Sequence, residues 1–270
     1  MKITFLGGGN MADALIGGLV KQGFAATDIQ VVEPNPDNRE RLSRAYGVTC
    51  HAGPVAPAWD TDLIVLAVKP QQMRQAVEPI APHLSRQVVV SIAAGLRLEA
   101  LSRWLGGYRK LVRTMPNTPA LIGAGVTGLH ALPEVTEAER AGADRVLQAV
   151  GSTVWVQEEA QMDAVTAVSG SGPAYVFLFI EALQQAGADL GFSPEAARQL
   201  AIETVLGAAR LAAASDEPAS VLRERVTSKG GTTEAALKAM AVAGVKEGII
   251  AGVRAAEGRG RELGDLLGAD

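Results

Sequence analysis

The sequence has one cysteine, Cys50, three scattered histidines and only 4% aromatic residues. A lone cysteine excludes an internal disulfide, and His51, His83 and His130 lack the close spacing from which metal sites are built. There is no run of Lys or Arg, and 25 basic against 29 acidic residues leave a net charge of −4. Such a chain carries no electrostatic footprint for nucleic acid or for an anionic membrane surface. Long apolar runs are missing as well. Residues 63–68 and 174–180 are the longest, far short of the ~20 that a membrane-spanning helix needs. These absences predict a cytoplasmic, metal-free protein that neither binds nucleic acid nor enters a membrane. Strand-like sequence begins at Lys2, so no leader peptide is expected ahead of the fold.

What is present is apolar content and glycine. With 48% hydrophobic residues over 270 positions the chain can bury a substantial core, and 30 glycines suit tight turns and close backbone packing. Short apolar runs alternate with helical periodicity through the first half: strands at 3–6, 29–32, 63–68, 88–92 and 110–114, with helices at 10–21, 36–46, 71–80 and 98–105 between and after them. Further strands at 126–129 and 153–156 flank a helix at 134–150. Alternation of this kind implies right-handed crossovers and a doubly wound parallel sheet. After Gln157 only helical patterns remain. Two of them, 173–187 and 194–214, lack a continuous polar face, so burial in a subunit interface is expected.

Gly7-Gly8-Gly9-Asn10-Met11-Ala12 fits G-x-G-x-x-A and lies directly between Leu6, the end of the first strand, and the first helix. The first glycine permits the turn, the second lets a pyrophosphate approach the backbone, and the helix N-terminus adds unpaired N–H groups. A structural glycine turn is the plain alternative; the repeated βα units favour dinucleotide binding. Glu33 closes the second strand, where a carboxylate can accept from adenosine ribose hydroxyls and so favours NADH. Asn35, Asn38 and Arg39 nearby offer donors to the extra phosphate of NADPH. Ala67-Val68-Lys69-Pro70 and Ala93-Ala94-Gly95 follow two further strands, at the edge where open parallel sheets bind ligands.

These loops, together with Met115-Pro116-Asn117-Thr118-Pro119, Ser169-Gly170-Ser171-Gly172-Pro173-Ala174-Tyr175 and Thr227-Ser228-Lys229-Gly230-Gly231-Thr232-Thr233, occur in an order that resembles the pyrroline-5-carboxylate reductases from end to end. Lys229 stands where proline is usual in that family. The resemblance implies an NADPH- or NADH-dependent reduction of 1-pyrroline-5-carboxylate to L-proline. It implies a Rossmann-type domain over residues 1–157 and a helical substrate and dimerisation domain over 158–270, assembled as a homodimer or as a higher oligomer of dimers. Glu159 matches a substrate-contacting position, and Asn117, in a proline-flanked loop after a strand, is expected to shape the cleft between the domains and to join the cofactor-binding residues. The residues of the last motif agree with this on their own chemistry: Gly230-Gly231 before a helix makes an anion nest, and Ser228, Thr232 and Thr233 bring hydroxyls that both donate and accept. Thr233 is expected to hold the imine nitrogen, with Ser228 beside it.

A β-hydroxyacid dehydrogenase, which would need a lysine on its C-terminal helices, is the nearest alternative enzyme; residues 111–228 contain none. Other cyclic imines remain possible substrates. A non-catalytic nucleotide-sensing dimer would have no use for the hydroxyl-rich loop.

Overall fold

A computed structural model describes residues 1–269. The chain opens with β1 (Ile3–Leu6), α1 (Asn10–Lys21), β2 (Ile29–Val32), α2 (Pro36–Tyr46) and β3 (Thr49–His51). It continues through β4 (Leu63–Leu66), α3 (Met73–Val77), β5 (Val88–Ser91), α4 (Leu98–Trp104) and β6 (Leu111–Met115). Then come β7 (Gly125–Ala131), α5 (Glu137–Gln148) and β8 (Gly151–Trp155). The remainder is helical: α6 (Gln161–Val165), a π-helical turn (Thr166–Gly170), α7 (Gly172–Asp189), α8 (Pro194–Ala213), α9 (Ala219–Arg225), α10 (Thr232–Val242) and α11 (Val245–Leu267).

The strands form one sheet in the order β3-β2-β1-β4-β5-β6-β7-β8. Alternate residues feed opposite faces, as the pleat requires. Ile3, Phe5, Leu63, Val65 and Val90 pack under α1 and α5, while Leu6, Ile64, Leu66 and Val89 face α3 and α4. One expectation needs correction: the sheet is not wholly parallel, because β6 and β7 pair antiparallel. Their connection holds only a 3-10 turn, Thr118–Ile122, and a parallel return needs a crossover of a dozen residues or more. The helix expected at 71–80 is shorter, since Pro79 and Pro82 turn its second half into 3-10 geometry. β3 escaped the sequence reading because three residues are too few for a periodic signal.

Two compact units emerge, Met1–Ser171 joined by the segment from Ala256 onward, and Gly172–Ala255. The first therefore extends past Gln157. Arg113 on β6 explains this locally: it is 3% exposed and pairs with Glu159 and Asp163, tying α6 to the sheet. Within the second unit α7 and α8 pack on each other, yet α7 has no buried residue, with Phe177 62% and Leu178 67% exposed. By length and composition the helical run Gln161–Asp189 could cross a membrane. Uninterrupted apolar stretches missed this, because Gly, Ser and Thr interrupt the run without breaking the helix.

The apolar face of α7 should be covered by a second copy. Phe179→Glu is expected to shift the assembly toward monomer in sedimentation velocity; an assembly unaffected by the charge would place Phe179 outside the interface.

Candidate active site

Four loops lie along the carboxyl edge of the sheet, after β1, β4, β5 and β6, and two of them, after β1 and β4, flank the point where strand order reverses. Open sheets bind ligands at such a switch point. Gly7 adopts φ +102°, and a Cβ there would lie 2.6 Å from Ala67 O. The turn thus passes so close to the end of β4 that only glycine fits. Two backbone bonds seal it, Gly7 N to Val32 O and Ala67 N to Leu6 O, both 2.8 Å. A Cβ on Gly8 would meet Leu42 Cδ1 at 2.8 Å, whereas the corresponding side of Gly9 is open. Gly9 is the N-cap of α1 and has no side-chain cap, leaving the first N–H groups of the helix to a ligand. Buried Ala12 lets α1 lie close on the sheet; Met11 is half-buried and Asn10 exposed.

Glu33 is buried at the end of β2, and its carboxylate bridges two turns. Oε2 accepts from Gly8 N and Oε1 from Asn35 N, each at 2.7 Å. An ionised carboxylate has about four acceptor sites, so a ribose hydroxyl can still be received. Beside it, Asn35 Oδ1 caps α2 by accepting from Asp37 N and Asn38 N, and Arg39 Nη1 donates to Glu33 O and Pro34 O. Arg41 donates to Gly8 O at 3.0 Å and pairs with Asp13 in the first turn of α1.

Ala67 and Val68 are half-buried, Lys69 is exposed, and Pro70 opens a 3-10 turn. Ala93 and Gly95 are buried while Ala94 faces outward, and Gly95 adopts φ +74°. Asn117 is a brace: Nδ2 donates to Ser169 O at 3.1 Å, and Oδ1 accepts from Val126 N at 3.0 Å. It thereby holds the π-turn, closed by Ser171 N to Thr166 O at 2.8 Å. Glu159 is similarly engaged, with Oε1 accepting from Leu98 N at 2.7 Å and from Arg113 Nη1 at 3.2 Å. The Arg113–Glu159–Asp163 cluster was absent from the sequence reading. An arginine inside the otherwise apolar strand Leu-Val-Arg-Thr-Met was the signal available.

The second unit carries the other predicted residues, brought together at the start of α10. Gly231 is its N-cap, and Gly230 adopts φ +74°. Gly230 N donates to Glu234 Oε2 at 2.7 Å, so the nest holds a carboxylate of the chain itself. Glu234 was not singled out from sequence, although its place in the first turn after Gly-Gly is a helix-start pattern. Gly231 N closes back on Ser228 O at 3.0 Å, and Thr227 Oγ1 donates to Arg223 O at 2.6 Å. Ser228 and Thr232 are exposed and Thr233 half-buried. Among the described residues their hydroxyls make no hydrogen bond within the protein. No group of three or more metal-ligating side chains occurs among the described residues.

A glycine cradle at the switch point of a mostly parallel sheet, with a separate helical unit, defines a dinucleotide-dependent oxidoreductase of Rossmann type. Residues 2–95 match the family described as NADP oxidoreductase, coenzyme F420-dependent, and residues 159–263 match the pyrroline-5-carboxylate reductase dimerisation family. The pyrroline-5-carboxylate reductase of Pseudomonas aeruginosa is 44% identical, with 99% of this chain and 98% of that protein aligned. A solved pyrroline-5-carboxylate reductase from Coxiella burnetii superposes with a TM-score of 0.93 at 40% identity, covering 97% of this chain and 98% of that one. The Plasmodium falciparum pyrroline carboxylate reductase solved with NADP bound gives 0.86 at 29% identity, covering 98% of each chain. The chain belongs to the pyrroline-5-carboxylate reductase family.

Gly7→Ala tests the cradle. The substitution is expected to cost about 1–3 kcal/mol through backbone strain and to weaken dinucleotide binding about tenfold or more, read by thermal unfolding and fluorescence titration. Unchanged affinity would separate Gly7 from the cofactor.

Proposed function

We propose that this protein reduces 1-pyrroline-5-carboxylate to L-proline with NADPH or NADH, working as a soluble cytoplasmic homodimer or an oligomer of dimers. The observation that carries the proposal is the carboxylate already seated on Gly230 N beside three unpaired hydroxyls. A substrate carboxylate would displace Glu234 from the same N–H. Gly231, at the N-terminus of α10, adds the helix dipole to its binding.

The cradle fits a dinucleotide by its own shape: only glycine fits at Gly7, the face of Gly9 is open, and the first N–H groups of α1 have no side-chain cap. Leu6, Asn10 and Met11 would flank the pyrophosphate with these glycines, and Glu33 would take the adenosine ribose. Ala67, Val68, Lys69 and Pro70 would line the next stretch, and Ala93, Ala94, Gly95 and the loop braced by Asn117 the nicotinamide end. The bound dinucleotide supplies a hydride to the imine carbon.

The chain's own residues orient and exclude. Thr233 would bond the imine nitrogen and Ser228 and Thr232 the carboxylate, which fixes one face of the ring. A threonine hydroxyl is too weak an acid to supply the proton alone, so water or an already protonated imine provides it. No lysine from the central helices takes part, in contrast to a β-hydroxyacid dehydrogenase.

Steady-state assays with 1-pyrroline-5-carboxylate and with β-hydroxyacids separate these readings. Turnover is expected only with the imine; turnover only with a hydroxyacid, or none, overturns the proposal. Thr233→Val should lower kcat about tenfold or more while leaving dinucleotide affinity unchanged, because its bond strengthens as charge redistributes; unchanged kcat in folded protein would remove Thr233 from the reaction. The carboxylate of Glu33 should also make the specificity constant for NADH at least equal to that for NADPH, and a strong NADPH preference would transfer control to Arg39 or Arg41.

A further inference from the structure

The turn between β5 and α4 carries Ala93-Ala94-Gly95, and its geometry is set by groups that lie well outside it. α4 lacks a cap of its own, since its N-cap residue is Arg97 and no side chain of the turn bonds its first N–H groups. The missing acceptor comes from Glu159, far along the sequence, whose Oε1 takes Leu98 N at 2.7 Å. That carboxylate is itself fixed by Arg113 Nη1 at 3.2 Å, and Arg113 is fixed by Asp163 Oδ1 on Nη2 at 3.1 Å. Arg113 and Asp163 are both almost fully buried, so the guanidinium cannot swing away from Glu159 without losing its partners to an apolar interior.

A second support comes from the last turns of α11. Gly95 closes on them: a Cβ at its position would lie 3.4 Å from Leu267 Cδ1 and 3.6 Å from Leu263 Cβ. Gly264 is the buried residue of that helix, and a Cβ there would meet Arg97 Nε at 3.1 Å and Gly95 O at 3.4 Å. Arg97 Nη2 pairs with Asp265 Oδ1 at 2.7 Å, and Arg103 Nη2 donates to Gly268 O at 2.8 Å. The turn is therefore gripped by one carboxylate at Leu98 and another at Arg97. Between them lies a cavity of about 430 Å³ lined by Arg97, Arg113, Glu159, Asp163, Glu257 and Arg261.

We propose that Glu159 and Asp265 are positioning residues for the dinucleotide, acting through the β5–α4 turn. On this account Glu159 touches neither substrate nor cofactor. Its carboxylate keeps α4 in register, and with it the backbone of Ala93 to Gly95 at the nicotinamide end. The inference rests on the dinucleotide reading of the carboxyl edge, and it assigns Glu159 a role different from the substrate contact that family resemblance implies.

The test compares Glu159→Ala, Glu159→Gln and Asp265→Ala by fluorescence titration with NADPH and NADH and by steady-state kinetics. Glu159→Ala should raise the dinucleotide Kd and KM about tenfold, with the KM for 1-pyrroline-5-carboxylate within about twofold of wild type. Glu159→Gln keeps an oxygen for Leu98 N and should restore every constant to within about twofold. Asp265 is exposed, so Asp265→Ala should fold normally and raise the dinucleotide constants about two- to threefold. It carries the test alone if Glu159→Ala does not fold. A raised KM for the imine with unchanged dinucleotide constants in Glu159→Ala, or unchanged dinucleotide constants in Asp265→Ala, overturns the proposal. Wild-type protein that binds no dinucleotide would sink the functional reading and this inference together; wild-type binding with indifferent variants sinks the inference alone.

Discussion

The carboxyl edge of the sheet depends on how closely the first turn passes the end of β4. With a Cβ at Gly7 only 2.6 Å from Ala67 O, no side chain can enter, and the turn is fixed by β1, β2 and β4 together. Glu33 extends the constraint sideways by joining Gly8 N to Asn35 N, which couples the glycine turn to the start of α2. Arg41 closes the circuit through Gly8 O and Asp13. These groups are ordinary one by one; together they shape the backbone before any ligand arrives, so little ordering entropy remains to oppose binding.

The helical unit solves a different problem. The hydroxyls proposed to meet the substrate are small, cluster where the chain turns into α10, and are exposed at Ser228 and Thr232 and half-buried at Thr233. Gly230 N donates to the Glu234 carboxylate in the free protein, while Gly231 N closes the turn on Ser228 O. The large apolar side chains of α7 and α8 remain uncovered within one chain. The match of residues 159–263 to a dimerisation family agrees with a cover supplied by a second chain.

Much of this was legible in the residues. The alternation of short apolar runs with helices, the glycine turn after β1 and the Gly-Gly before α10 each have a local cause, and local causes can be read locally. What escaped reading was long-range. The antiparallel step at β7 follows from the brevity of the Thr118–Ile122 connection, which matters only once β6 and β7 are known to be neighbours. The bonds of Glu159 to Leu98 and Arg113 could not be read locally, because both partners are distant in sequence. Asn117 likewise gains its role only when the π-turn brings Ser169 O to its amide. The return of α11 to the first unit rests on Gly264 and Gly95, two glycines whose packing no periodicity announces.

The central claim is that the cradle and the nest serve one hydride transfer to a cyclic imine. The most direct measurement uses NADPH or NADH carrying deuterium at C4 of the nicotinamide, supplied with 1-pyrroline-5-carboxylate, and locates the label by NMR. The account predicts one deuterium on C5 of L-proline, transferred from a single face of the nicotinamide. Oxidation of the dinucleotide without label in proline, or no proline at all, would contradict it.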